Sequence, residues 1–234
     1  MYQNILVINL MHIGDLMLAT PVLRTLRTNY PDARISLLAD KKLRDLVEYN
    51  KYIDECLLID KKGKDDHFGS FFQFILGVRR KHFDLVINLH RNERASAIAA
   101  FSGAKRIVGY SKPGFSLFFD KVMQNPSVAH HIGQGPFHML PPHKYVPGWK
   151  HQVHAHLDVL REAVGIEQID DGGLEMWLPE AAGQEADRIW AEEFQPEDKV
   201  IAFNIGASWT TKRWLNNYFA ECADRLIARG YHIA

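Results

Sequence analysis

Short apolar runs rich in β-branched residues recur along this chain, and they constrain its fold more than any other feature. The runs are ILVINL (5–10), RISLLA (34–39), CLLID (56–60), DLVINLH (84–90), RIVGY (106–110) and VIAFNIG (200–206). Several of them are apolar on both faces, which is typical of strands in a parallel sheet covered on both sides. The stretches between them predict helices over 15–29, 67–81, 92–102, 151–165, 180–194 and 215–229. Strands that alternate with helices indicate an open α/β sheet with right-handed crossovers.

Residues 111–150 break this alternation. They contain SKPG, GQGP, PPH and VPGW, which predict a long loop region with little regular structure. Loops of that length in a compact domain are usually functional or mobile. After the helix at 180–194 a fresh strand begins, so we expect a first domain over 1–175, a linker with a helix over 176–194, and a second domain from 195. This second unit stops at the opening of its second strand, YHIA, and we expect 195–234 to be the start of a longer domain.

The charge balance and the two cysteines restrict the class of protein. Lys and Arg together number 28, as do Asp and Glu, so no net field favours nucleic acid as a partner. Cys56 and Cys222 lack CxxC spacing, which indicates a reducing compartment and no disulfide framework. The N-terminus lacks a basic leader, and no apolar run reaches the roughly 18–20 residues of a membrane span. We therefore expect a soluble cytoplasmic protein, whose apolar content of 47% supplies a sizeable core.

An acid, Asp15, follows the first apolar run in the segment MHIGDLMLATP (11–21). Ligands of open α/β sheets bind beyond the carboxyl ends of the strands, which is where Asp15 falls. Gly14 permits a tight turn and a close approach of the backbone to a ligand. One hypothesis makes Asp15 a general base that accepts a proton from a hydroxyl group. The alternative is that Asp15 caps the following helix, as aspartate often does.

The start of that helix has a second signal. Pro21 interrupts the apolar stripe of the stretch 15–29. With Thr20 as the cap and Pro21 as the first helical residue, the main helix starts there and 15–19 form an entry turn.

A second polar constellation, GASWTTKRW (206–214), follows an apolar strand and precedes a helix. Ser208, Thr210 and Thr211 offer hydroxyl groups, the turn offers main-chain N–H groups, and Lys212 offers a positive charge. Together they predict a cradle for a phosphate group. The alternative is a polar turn that caps the helix while Lys212 stays solvated. Neither GxxxxGK[ST] nor GxGxxG occurs in the chain.

Seven of the 12 histidines lie between residues 130 and 156, which makes a metal site conceivable. They are His130, His131, His138, His143, His151, His154 and His156. No acid or cysteine is interleaved with them at ligand spacing, so we predict loop and surface histidines and no metal site.

The two polar constellations and the segments between them resemble a known family over nearly the whole chain. IGDLMLATPVLRTLRTNYPDARISLL is similar to the amino-terminal signature of the bacterial heptosyltransferases, glycosyltransferase family 9, which build the inner core of lipopolysaccharide from ADP-heptose. Three further segments resemble later parts of the family: DLVINLHRNERASAIAAFSGAKRIVGY, HQVHAHLDVLREAVGI and FNIGASWTTKRWLNNYFAECADRLIARGYHI. Asn88 stands where the family commonly has an acid.

This resemblance implies a GT-B fold with two Rossmann-like domains, the first on the acceptor side and the second binding the nucleotide sugar. It also implies inversion at the anomeric carbon without a metal or another cofactor. The family's proposed base falls on Asp15, its phosphate-binding lysine on Lys212 and the adjacent hydroxyl contact on Thr211. The part of the family's donor domain that holds adenine and heptose has no counterpart within the 234 residues.

Basic and aromatic stretches of the first domain bear on its partners. The basic runs are KKLR (41–44), KKGK (61–64) and RRKH (79–82). A solvated face is one interpretation; the other is contact with an anionic glycolipid acceptor or with the negative surface of the inner membrane. The aromatic stretch FGSFFQFILG (68–77) predicts a core helix, although GFSLFF (114–119) leaves a membrane surface open.

The sequence and the resemblance together predict an inverting glycosyltransferase that moves heptose from ADP-heptose to a lipopolysaccharide core acceptor. Asp15 is the predicted base, and Lys212 is predicted to stabilise the leaving diphosphate. Gly14, Ser208, Thr210 and Thr211 are the other predicted substrate-binding residues. Two alternatives remain, a nucleotide-binding module without transferase activity and a catalytically inactive fragment or interaction domain. ADP binding without turnover favours the first, and rescue by a separate carboxyl-terminal half identifies a split enzyme.

Overall fold

The computed structural model describes residues 2–124, 150–207 and 210–234. The chain divides into two compact units, Met1–Leu178 and Pro179–Ala234. Most of the loop region predicted over 111–150 lies outside the described residues, as does Ser208.

The first unit is built on a six-stranded parallel sheet. Its strands are β1 (Asn4–Ile8), β2 (Arg34–Asp40), β3 (Glu55–Ile59), β4 (Leu85–Asn88), β5 (Arg106–Gly109) and β6 (Lys121–Val122). Their order across the sheet is β3-β2-β1-β4-β5-β6, and every neighbouring pair is parallel. The first five confirm the predicted strands. The sixth was not predicted, because two exposed residues carry no periodic pattern.

Helices connect these strands, and one more follows the last of them. They are α1 (Ile13–Met17), α2 (Thr20–Asn29), α3 (Arg44–Val47), α4 (Phe68–Arg79), α5 (Glu93–Phe101) and α6 (Gln152–Asp158), which continues as a π-helical stretch over Val159–Val164. Short 3₁₀ helices cover Lys41–Leu43 and Pro113–Phe118. The latter and β6 show that residues 111–124 have more regular structure than predicted.

The predicted helix over 15–29 is two helices. The second begins at Thr20, one residue before the predicted start at Pro21, and its N-cap is Ala19. The prediction that Thr20 is the cap is therefore wrong by one residue. The Thr20 hydroxyl instead donates a hydrogen bond to the main-chain oxygen of Met17, 2.8 Å away, and so links the two helices.

The core lies on both faces of the sheet because the strands are apolar on both faces. On one face, Leu23 of α2 and Leu160 pack in the same cluster as Val7 of β1. On the other, Ile75 of α4 and Ile98 of α5 pack in the cluster of Ile8. Each such buried side chain contributes about 1.5–3 kcal/mol relative to an exposed one. The sheet is thus fixed from both sides, and its strand ends are held firmly in place.

The second unit contains α7 (Glu180–Glu193), β7 (Lys199–Ile201), a 3₁₀ helix (Thr210–Lys212), α8 (Asn216–Ile227) and β8 (Tyr231–Ile233). Strands β7 and β8 are parallel neighbours. Strand β7 ends at Ile201, well before the predicted end at residue 206, and 202–207 form an irregular loop. No helix in the described part of the chain is long and apolar enough to cross a bilayer.

Candidate active site at the carboxyl edge of the sheet

The strands of the first unit all end at one edge of the sheet, which we call the carboxyl edge. The chain leaves β1 to reach β2 on one side, whereas β4 lies on the other side of β1. This reversal of strand order is the topological switch point, where open α/β sheets form a crevice for ligands. The loops that follow β1 and β4 therefore border the most favourable place for a site.

Asp15 lies in the loop-to-helix segment after β1, as the third residue of the five-residue helix α1. The N-cap of α1 is His12, so the alternative hypothesis that Asp15 caps this helix is wrong. The Asp15 side chain is partly exposed, and within the described residues its carboxylate takes part in no hydrogen bond or ion pair. A carboxylate of this kind is free to bind a substrate group.

Gly14 precedes Asp15 inside α1 and does not have a positive φ. The turn therefore does not require glycine, contrary to the sequence-based expectation. A Cβ atom at this position meets nothing within 4 Å, which leaves open space beside Asp15.

Asn9 is completely buried directly beyond β1. Its side-chain nitrogen Nδ2 donates to the main-chain oxygen of Asp15 at 3.1 Å, and its Oδ1 accepts from the main-chain N–H of Met11 at 3.2 Å. Both ends of the turn that carries Asp15 are thus bonded to one buried amide.

Asn88 makes a similar arrangement at the end of β4. It is completely buried, its Nδ2 donates to the main-chain oxygen of Tyr110 at 2.7 Å, and its Oδ1 accepts from the main-chain N–H of His90 at 3.2 Å. His90 follows at the carboxyl edge, and its Nδ1 is buried without a partner among the described residues. Burial lowers the pKa of His90 to about 4, and the positive charges of Lys61 and His12 act in the same direction. His90 is therefore a neutral imidazole at physiological pH.

Lys61, which follows β3, contacts the loop after β1 at the same edge. Its ammonium group donates to the main-chain oxygen of Leu10 at 2.7 Å and lies 3.0 Å from a carboxylate oxygen of Asp40. Burial alone raises the pKa of Asp40, but hydrogen bonds from Lys61 and Lys42 outweigh it and hold that pKa below its usual range. Lys61 therefore helps to hold the β1 loop and is not simply a solvated charge.

The basic runs divide between the two edges of the sheet. Runs 41–44 and 61–64 follow β2 and β3 at the carboxyl edge, whereas run 79–82 precedes β4 at the opposite edge. Lys42, Lys62 and Lys64 are exposed, and within the described residues none of their ammonium groups forms an ion pair with an acidic side chain. These three lysines form a positive surface beside the site.

The histidines are not all on the surface. His151 and His154 are exposed as predicted, but His156 of α6 is completely buried, with its ring centroid 6.1 Å from that of Tyr110. The prediction is wrong for His156 because its helix turns this position into the core. His130, His131, His138 and His143 lie outside the described residues. Within those that are described, no three His, Cys, Asp or Glu side chains are grouped to hold a metal ion.

The predicted phosphate cradle lies in the second unit, in the loop after β7. Thr210, Thr211 and Lys212 form the exposed 3₁₀ helix, and the main-chain N–H of Arg213 donates to the Thr210 oxygen at 3.1 Å. The Arg213 guanidinium donates to the Ala207 oxygen at 2.8 Å, which closes the loop. Lys212 has no acidic partner in the described residues, so its charge is available to an anion.

Asn9, Asn88, Lys61 and His90 are the residues that sequence reasoning missed as parts of the site. The available signal was a single polar residue at the end of an apolar run, as in NILVINL and DLVINLH. Such a residue is indistinguishable from a strand residue until the strand end is known.

Comparison with known proteins places this arrangement in a family. The profile of glycosyltransferase family 9 (heptosyltransferase) matches residues 71–234, which is more than half of the chain. Lipopolysaccharide heptosyltransferase 3 of Escherichia coli strain K12 is 25% identical over 229 residues, covering 94% of this chain and 59% of that protein.

Solved structures of the same family have the same fold. A glycosyl transferase family 9 structure from Veillonella parvula DSM 2008 superposes with a TM-score of 0.83 at 30% identity, covering 99% of this chain and 62% of that one. The structure of E. coli ADP-heptose lps heptosyltransferase II superposes with a TM-score of 0.67 at 20% identity, covering 99% of this chain and 63% of that one. At this identity the similarity shows the fold alone. The predicted α/β class of the GT-B type is thereby confirmed. The chain spans between 59% and 63% of the length of these relatives. Because the profile covers most of the chain and the fold agrees over its whole length, the chain belongs to glycosyltransferase family 9, the heptosyltransferases.

Proposed function

We propose that this chain supplies the acceptor domain and the start of the donor domain for inverting transfer of heptose from ADP-heptose to a lipopolysaccharide core acceptor. Family membership supports the class of reaction, and the names of the similar E. coli proteins support the donor and the acceptor. The observation that carries the proposal is the carboxylate of Asp15, which has no partner among the described residues and lies at the carboxyl edge, beside the switch point of the sheet.

In the proposed reaction an acceptor hydroxyl group approaches the carboxyl edge and attacks the anomeric carbon of heptose. Asp15 accepts the hydroxyl proton as the new oxygen–carbon bond forms. The bond between the anomeric carbon and the diphosphate oxygen breaks, and its electron pair leaves with ADP. Attack from the face opposite the leaving group inverts the anomeric centre.

The leaving diphosphate gains negative charge in this step and needs stabilisation. Lys212 supplies a fixed positive charge, and Thr210 and Thr211 supply hydroxyl donors on the same short 3₁₀ helix. Preorganised donors of this kind stabilise developing charge more than they stabilise the bound substrate. Ser208 and Gly14 complete the proposed binding set, Ser208 toward the phosphates and Gly14 by leaving space beside Asp15.

The acceptor side of the proposal rests on the positive surface of Lys42, Lys62 and Lys64. These exposed lysines follow β2 and β3 at the same edge as Asp15, and we propose that they attract an anionic glycolipid to it. Phe68, 87% exposed at the start of α4, adjoins the 61–64 run, so we also propose a peripheral contact with an anionic membrane here. A Phe68→Ser variant should bind vesicles of anionic phospholipid more weakly, and unchanged binding removes this contact from the proposal.

The test compares two proteins, the 234-residue chain and the same chain joined to the remaining donor domain of a family relative. Heptose transfer and ADP release are measured with ADP-heptose and a lipopolysaccharide core acceptor. We expect transfer by the joined protein and none by the chain alone, because the second unit pairs only two strands within its described residues. We call the form that transfers heptose the active form. Transfer by neither protein contradicts the proposed function.

The alternative is a nucleotide-binding or interaction module without transferase activity. The observation that favours it is the small second unit, in which described residues supply one strand pair and the cradle. ADP binding by both proteins, with no transfer by either, supports this alternative.

A further inference from the structure

We propose that Asn9 is the positioning residue of the site and that it acts by fixing the turn that carries Asp15. This inference rests on the proposed function, since it assigns Asn9 a role through the proposed base. Asn9 itself lies below the surface and touches no substrate, because it is completely buried.

Asn9 forms two side-chain hydrogen bonds that span one turn, and we call this pair of bonds the clamp. Through Oδ1, Asn9 holds the Met11 N–H at 3.2 Å, the side-chain-to-main-chain bond of an Asx turn. Through Nδ2, it holds the Asp15 oxygen at 3.1 Å, four residues farther along. Its own main-chain N–H donates to the Leu38 oxygen at 3.0 Å and so anchors the clamp to β2. The position of the main chain at Asp15 is therefore fixed by the sheet and not by the short helix α1.

A five-residue helix cannot hold Asp15 by itself. An isolated helix of this length is unstable in water, so its position depends on contacts with the rest of the fold. The His12 side chain provides no capping hydrogen bond at the start of α1. The Thr20 hydroxyl bonds to Met17 at its far end, and Asn9 bonds to Asp15 in its middle.

A buried asparagine that bonds the turn beyond its strand also occurs at the neighbouring strand β4. This arrangement is therefore a feature of the carboxyl edge and not of one loop. Asn88 lies opposite Ile8 in the register of β4 and β1, one position short of Asn9. Its Oδ1 accepts from the N–H two residues on, at His90, as that of Asn9 does at Met11. Two completely buried amides thus set the turns that present Asp15 and His90 at the switch point.

Only an amide satisfies both contacts of Asn9. A carboxylate can accept from Met11 but faces the Asp15 oxygen with a second acceptor, and a leucine of similar shape leaves both main-chain groups unpaired. Asn9→Leu therefore removes the clamp while it preserves the volume of the side chain.

The matched control is Asn4→Leu in the same strand. Asn4 lies at the opposite edge of the sheet, and its Nδ2 donates to the main-chain oxygen of Lys81 at 2.8 Å. Both variants lose a side-chain-to-main-chain bond next to β1, but only one of them loses it beside Asp15. Asn9→Ala serves as a second variant where Asn9→Leu fails to fold.

The experiment measures kcat, KM for the donor and melting temperature in the active form, with each variant also placed in an Asp15→Asn background. We expect Asn9→Leu to lower kcat by about 10- to 100-fold with little change in donor KM, because displacement of a catalytic group costs turnover. We expect this loss to disappear in the Asp15→Asn background, where no base remains to be positioned. Asn4→Leu should lower the melting temperature and leave kcat unchanged.

The outcomes separate this inference from the proposed function. If Asp15→Asn alone keeps its rate, the proposed base is wrong. If Asp15→Asn loses its rate but Asn9→Leu and Asn9→Ala keep theirs, the positioning role is wrong and the base stands. An equal loss from Asn9→Leu with and without the Asp15 carboxylate also contradicts the inference, since Asn9 then acts by another route.

Discussion

The main-chain N–H of Glu175 donates to the Thr20 hydroxyl oxygen at 3.2 Å, so the end of the first unit is bonded to the start of α2. The same segment is held by Arg24, which donates to Asp170 at 2.8 Å, to Glu175 at 2.7 Å and to the Gly173 oxygen at 3.1 Å. These hydrogen bonds hold the pKa values of both carboxyl groups below their usual ranges. One arginine therefore fastens the segment that leads out of the first unit.

Removal of this arginine should destabilise the first unit. The Arg24 side chain is only 11% exposed, so Arg24→Met removes the ion pair of Asp170 and one of the two ion pairs of Glu175, which keeps Lys51. Because both carboxylates are partly exposed to water, we expect a loss of about 2 kcal/mol in the free energy of unfolding, below that of a fully buried pair. Urea denaturation at pH 7 measures it. Arg44→Met, which removes an exposed pair with Glu48, is the control and should cost less than about 0.5 kcal/mol. Equal losses from the two variants contradict the role of Arg24.

The role proposed for Asp15 predicts a large loss of turnover with only a small loss of stability. Asp15→Asn keeps the shape of the side chain, and only the interaction of its charge with the amino terminus of α1, about 0.3–1 kcal/mol, is lost. Since an amide cannot accept the acceptor proton, heptose transfer by the active form should fall roughly 10²–10⁴-fold. ADP affinity should hardly change, because the proposed cradle is in the second unit.

The control for that charge is Asp45→Asn, another acid in the first turn of a short helix, α3. It should shift the melting temperature about as much as Asp15→Asn and leave transfer intact. Retention of most of the transfer rate by Asp15→Asn shows that Asp15 is not the base.

The proposed cradle predicts weaker binding of ADP when Lys212 is replaced. A hydrogen bond to a charged group contributes roughly 1.5–3 kcal/mol, so Lys212→Ala should weaken ADP binding by about tenfold to a hundredfold. Titration calorimetry of the active form measures the affinity. Lys199→Ala, at the other end of β7, removes an exposed lysine of equal charge and should leave the affinity unchanged. If both variants bind ADP like the parent, Lys212 is a solvated surface residue.

Burial of His156 predicts that the first unit loses stability in mild acid. Burial lowers the pKa of His156 from 6.5 to about 4. Between these values the unfolded chain binds a proton that the folded chain does not, so the free energy of unfolding falls as the pH falls. The loss is about 3 kcal/mol by pH 4, and His90 adds to it in the same direction.

Urea denaturation at pH 7 and pH 4.5 measures this dependence. His156→Phe should remove part of the loss, and His154→Phe, at an exposed position of the same helix, should retain all of it. An unchanged pH dependence in His156→Phe means that the buried imidazole does not control acid stability.

Most of the sheet could be predicted from the sequence, because strands covered on both faces have uniformly apolar runs. Strand β2 was predicted over 34–39 and ends one residue later, at Asp40. Strand β6 could not be found, since Lys121 and Val122 are exposed and show no pattern. The position of Asp15 at the carboxyl edge could also be predicted, because Asp15 comes directly after a strand and before a helix.

The support of the site could not be predicted. Asn9 and Asn88 stand in apolar runs, and nothing in the sequence distinguishes a polar strand residue from one that bonds a turn just beyond the strand. The buried state of His156 was also not predicted, because this residue was grouped with six other histidines as a loop or surface residue, whereas its position in the helix faces the core. These features depend on where each element ends in space, which a linear pattern does not encode.

The adjacency of β1 and β4 ties ligand binding to folding. Asp15 and His90 come from distant parts of the chain, and the pairing of β1 with β4 brings the loops that carry them to one edge of the sheet. Contacts between such distant segments are formed slowly, because a long loop must close before they are gained. A ligand that contacts both loops binds the paired sheet and not the open chain, so it should raise the stability of the first unit in proportion to the logarithm of its concentration. Substrate supply would then influence how long each folded molecule survives, as well as how fast it turns over.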